Sequence, residues 1–111
     1  MRSAAPYVRA VTGRSPNLER RTLIPRYLIE RTVGSITREE LETASRKSIA
    51  AMSGMTGIVW IRSYVSDTDG KIYCEYDAPS PEAVREHARR AGLPVDRITE
   101  VALEISPAMF K

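Results

Sequence analysis

The sequence predicts a ferredoxin-like α+β domain of order β-α-β-β-α-β, and three observations predict it. Four runs rich in β-branched and aromatic residues are interleaved with two runs of helical spacing. The second and third strand runs are joined by DTDG alone, which leaves no room for a helix between them. Each helical run carries its own start and stop chemistry, so six local signals agree on one order.

The first strand is read over Pro25 to Val33, PRYLIERTV. In the first helical run, SITREELETASRKSIAAMSG, Thr37 and Glu40 have the spacing of a capping box, and Ile36 and Leu41 that of a hydrophobic staple. Leu41, Ala44, Ser48, Ile49 and Met52 recur at helical spacing and predict its apolar face, with Gly54 or Gly57 ending it. The second strand is read over Gly57 to Ser66, and Asp69-Gly70 supplies the turn to a third strand, Lys71 to Ala78. Ser80 caps the second helix, with Pro81 at its first position and Gly92 just past its end. Arg97 to Ser106, RITEVALEIS, alternates cleanly and reads as the fourth strand. Both helices are then expected on one face of a four-stranded antiparallel sheet.

Alternation assigns side chains to faces. Val59, Ile61, Ser63 and Val65, together with Ile72, Cys74 and Tyr76 and with Thr99, Val101, Leu103 and Ile105, form the expected core set. The open face is then expected to gather Trp60, Tyr64 and Tyr73 with Glu30, Arg62, Glu75, Glu100 and Glu104, while Leu28 and Thr32 also point outward. Three large aromatics on one open sheet face predict a partner, and two such faces packed together give a homodimer, or higher oligomer, of the α+β-barrel kind.

Composition narrows the function. A chain of 111 residues reads as one domain over residues 25–111, preceded by a basic arm at residues 1–24. The arm holds five arginines against Glu19, whereas the remainder is nearly neutral with 12 basic and 13 acidic side chains. It lacks the apolar stretch of a secretory signal. No apolar run approaches the roughly 18 residues of a membrane helix, so no membrane partner is expected. A single cysteine excludes an internal disulfide and a multi-cysteine zinc site, and a reducing cytoplasm is the default. Nucleic acid is not an expected partner, because Glu30, Glu75, Glu100 and Glu104 on the proposed face repel phosphate. The DTDG segment is a turn rather than a calcium loop, since Ala78 stands where the loop needs its last carboxylate. Phosphate-binding and hydrolase motifs do not occur.

Cys74 and His87 are the only cysteine and histidine. Strand and helix rise place them at about the same level, roughly 10 Å from the connection that joins their elements. Thiolate and imidazole together suit nickel, copper or zinc, but further donors are required. The bland reading is a buried thiol beside a locally bonded histidine, and composition alone favours it.

The residues SY (Ser63, Tyr64), YC (Tyr73, Cys74), AP (Ala78, Pro79) and REHARRAGLP (85–94) are distinctive. On them, residues 25–106 resemble a bacterial family of small ferredoxin-like proteins, formerly a domain of unknown function and now often called nickel-binding. The resemblance implies a dimer of ferredoxin-like subunits that binds nickel, with no established reaction. In that family a histidine commonly precedes the Ser-Tyr pair, where this chain has Arg62. If that histidine is a ligand, the change removes a donor and adds a repelling cation.

The leading expectation is a non-catalytic homodimeric module that binds a divalent metal, nickel first. Cys74 and His87 form one candidate location, and Glu30, Glu75 and Glu100 in the sheet cavity form the other. The alternative is a small dimeric enzyme or binding protein. There Trp60, Tyr64 and Tyr73 hold an apolar body, Arg62 pairs with an anion, and Glu104 lines the same cavity.

Overall fold

The computed structural model describes residues 24–110, so the arm at residues 1–24 lies outside the described residues apart from Ile24. The elements are β1 (Arg26–Thr32), α1 (Arg38–Ser53), β2 (Val59–Ser66), β3 (Lys71–Asp77), α2 (Pro81–Ala91) and β4 (Arg97–Val101), followed by a short 3₁₀ turn at Pro107–Phe110. The strands form one antiparallel sheet of order β2-β3-β1-β4, the ferredoxin-like arrangement the element order requires.

The local chemistry acts as its residue types dictate. The Thr37 hydroxyl accepts from the Glu40 amide at 3.1 Å and the Glu40 carboxylate accepts from the Thr37 amide at 2.8 Å, which satisfies two orphan donors of α1. Ser80 does the same for the Ala83 amide, and Gly92 adopts the left-handed conformation that ends α2. Gly70 closes the β2–β3 turn at φ +63°, and its carbonyl accepts from both Val33 and Gly34. A Cβ on Gly70 would meet Gly34 Cα at 3.0 Å, so both the turn and this approach demand glycine.

The core lies between the helices and one sheet face. Tyr27, Ile29, Ile72, Cys74 and Tyr76 from β1 and β3 meet Val84, Ala88 and Ala91 of α2. Full burial of an aliphatic such as Ile29 or Val84 contributes about 1.5–3 kcal/mol. The parity expected for β1 and β3 is therefore correct.

Expectations fail in three elements, β2, β4 and α1, each for a definable reason. A bulge between Trp60 and Arg62 inserts a residue into β2, so Trp60 pairs with Tyr76 and packs against the core instead of lying on the open face. The same bulge sends Val59 outward, where it is exposed. In β4 the register sets Ile98 opposite Ile29 and Glu100 opposite Tyr27, so these two fall on the helix side while Thr99 and Val101 fall on the open side. This inverts the expected parity and removes Glu100 from the open-face set. The strand also ends at Val101, and Ile105 is exposed although its spacing marked it for the core. In α1, Ile49 is exposed and Ser48 is buried, because Ser48 makes hydrogen bonds in the core that an isoleucine cannot.

Candidate functional site

Register orders the open face into rows across the sheet. One row runs Arg62, Glu75, Leu28 and Thr99, the next runs Tyr64, Tyr73, Glu30 and Arg97, and a third runs Val59, Asp77, Arg26 and Val101. Tyr64 and Tyr73, expected on one face, are thus direct cross-strand neighbours. Four carboxylates on or beside the open face meet cations. Arg62 contacts Glu75 at 3.2 Å, Lys71 contacts Glu30 at 3.9 Å, and Arg26 bridges Asp77 at 2.8 Å and Glu104 at 3.3 Å. The Asp77 hydrogen bond raises the Arg26 guanidinium further above its ordinary range, against the opposing effect of burial. Arg62 is more than half exposed, so its pair with Glu75 contributes at most about 1 kcal/mol and opens readily. Around these pairs Leu28, Val59 and Tyr64 remain exposed, so the face is apolar in area and largely neutralised in charge.

The helix side holds a different arrangement. His87 is fully buried, and its Nε2 lies 3.2 Å from the Ser48 carbonyl and 3.0 Å from Ser48 Oγ. A carbonyl only accepts, so Nε2 carries the proton and Nδ1 is left as a bare lone pair with no partner. Ser48 Oγ also contacts the Tyr76 hydroxyl at 3.1 Å, and the Tyr76 ring tilts against His87 at 5.1 Å between centroids. Burial pushes the Tyr76 phenol above its ordinary range. Burial likewise holds His87 below its own, opposed by the Ser48 carbonyl and assisted by the positive charge of Arg31. Arg31 is buried in the same layer, its guanidinium 5.9 Å from the Tyr76 ring centroid. Cys74 is a buried free thiol on this side.

Among the described residues no group of three or more His, Cys, Asp and Glu converges as a metal site. Cys74 and His87 share the helix side of the sheet without a third such donor beside them, and Glu30 and Glu75 share the other side. The described residues of one chain therefore do not bring together the donor set that nickel requires. The cavity under the sheet is about 50 Å³, well short of an organic substrate pocket. An open cleft of about 280 Å³ between α1 and the end of α2 is lined by Glu39, Glu40, Thr43 and Lys47 and contains none of the predicted site residues.

The sequence placed Ser48 on the buried face of the first helix, whereas Arg31 was not foreseen as a polar member of the core. The parity of β1 carried the signal, since Tyr27, Ile29 and Arg31 alternate on the buried side.

The fold and the sheet faces define a small α+β protein of the ferredoxin-like class. Residues 27–101 match the family described as "Nickel responsive protein SCO4226-like", and the chain belongs to that family. Among solved structures it is similar to the crystal structure of SCO4226 from Streptomyces coelicolor A3(2), with 28% identity and a TM-score of 0.66, over 72% of this chain and 99% of that one. Comparison with curated proteins finds no match. No described helix is long and apolar enough to cross a membrane.

Proposed function

We propose that this protein is a non-catalytic nickel-binding module that works as a homodimer, two copies packing open sheet face to open sheet face. The observation that carries the proposal is the open face itself, where exposed Leu28, Val59 and Tyr64 surround internally paired charges. Such a face is self-complementary under a two-fold axis, because apolar area meets apolar area and Glu30, Glu75 and Asp77 already face cations. Membership of a family named for its nickel response supports the choice of metal.

The described residues of a single chain hold no convergent donor set, so the proposal places nickel at the dimer interface, where Glu30 and Glu75 of both copies double the donor count. The exposed Arg62 must release Glu75 for this, a step that costs about 1 kcal/mol or less. Cys74 and His87 are the competing location. Nickel content of untagged Glu75→Gln and His87→Ala proteins after loading and gel filtration separates the two. Loss in Glu75→Gln alone supports the interface, and loss in His87→Ala alone moves the site to the helix side. Full retention in both defeats each location.

A further inference from the structure

Arg31 is 1% exposed, and among the described residues no carboxylate pairs with it. Its Nη1 donates to the Pro94 carbonyl at 2.8 Å, while Nε and Nη2 are buried without a partner. An arginine guanidinium keeps its charge at physiological pH, and a charge taken from water without compensation costs several kcal/mol. The Tyr76 ring at 5.9 Å offsets only a fraction of this. An orphaned cation inside a folded core therefore calls for a negative partner from elsewhere.

The surroundings describe that partner. Arg31 lines the cavity of about 50 Å³ between α1 and the sheet, together with Ser45, Ser63, Trp60, Cys74 and Tyr76. None of the lining residues is acidic, and Arg31 is the only cation among them. Ser63 Oγ accepts from Trp60 Nε1 at 2.9 Å, which leaves its own proton free to donate. Since one water needs roughly 10–15 Å³ by this kind of measure, the space holds about three to five heavy atoms.

We propose that Arg31 anchors a core site for a small monovalent anion, either an inorganic monoanion such as chloride or a short carboxylate such as formate. Nε–H and Nη2–H of the guanidinium and the Ser63 hydroxyl are its donors, and the apolar walls exclude larger or doubly charged ions. A single guanidinium matches a single negative charge, and the absence of a second cation in the lining disfavours phosphate. This site is distinct from the open sheet face and does not depend on nickel.

Trp60 is the only tryptophan in the chain and lines the cavity, so its fluorescence reports occupancy directly. Untagged protein freed of chloride is titrated separately with sodium chloride, sodium formate and sodium acetate at constant ionic strength. The Arg31 Nε–H resonance is followed in parallel by NMR. The expected result is a saturable fluorescence change with a matching shift of the Nε–H signal for at least one anion, abolished in Arg31→Met. Chloride binding identifies an inorganic ligand, and preference for formate or acetate identifies a carboxylate. Ser63→Val keeps Arg31 but fills the cavity, and is expected to weaken binding tenfold or more, which preserves the test if Arg31→Met fails to fold. Unsaturable responses to all three anions, or equal affinity in wild type and Ser63→Val, would overturn the proposal.

Discussion

The two faces of this sheet treat polar groups in opposite ways. On the helix side, His87, Tyr76, Ser48 and Arg31 are buried among apolar neighbours and depend on one another for hydrogen bonds and ring contacts. On the open side, Glu30 and Glu75 lie near solvent, each beside a cation that can move away. The first arrangement is costly to disturb, because a buried group that loses its partner keeps its full desolvation penalty. The second is cheap to rearrange, since exposed ion pairs contribute little. A binding surface belongs on the cheap side and a fold-defining network on the costly one.

The comparison is broken most severely by His87→Ala. Loss of a fully buried ring leaves a cavity and strips Ser48 of a partner, so urea denaturation should show destabilisation of about 2–5 kcal/mol. The open face should respond in the opposite manner. Tyr64→Asp is expected to leave stability within about 1 kcal/mol but to weaken self-association at least tenfold, as read by sedimentation velocity. Trp60→Ala is expected to lower stability rather than weaken the proposed dimer, because the bulge turns Trp60 into the core side.

A smaller effect concerns pH. Burial depresses the proton affinity of His87 in the folded state, while the unfolded chain takes up that proton near pH 6.5. The unfolded state therefore binds more protons below that value. Stability should fall as pH drops through it, at no more than about 1.4 kcal/mol per pH unit, and level off below the folded value. His87→Gln should remove this part of the acid-side slope in thermal melts at graded pH. The smallest effect is expected for Arg62→Ala, with a stability change of about 1 kcal/mol or less but a gain in nickel retention, because Glu75 is freed.

Much of the fold was legible because it is written in local chemistry. Thr37 with Glu40, Ser80 with Pro81, and Gly70 and Gly92 fix element ends through neighbours a few residues away. Face assignment in β1 and β3 was legible because those strands alternate without interruption. It failed in β2 and β4 because parity there depends on non-local facts. One inserted residue reverses Trp60, and pairing with β1 rather than hydrophobic spacing decides that Ile98 is the inward residue of β4. The donors of the candidate site were visible as residue types. Strand parity also separated Cys74 and His87 from Glu30 and Glu75, but not Glu100, whose side is decided by the β1–β4 register.

If the open sheet face carries both self-association and nickel, native mass spectrometry of the untagged protein, with and without nickel loading, should show a dimer that retains nickel. The metal should be lost when Tyr64→Asp converts the protein to a monomer. A folded monomer that retains nickel as well as wild type does would contradict this assignment.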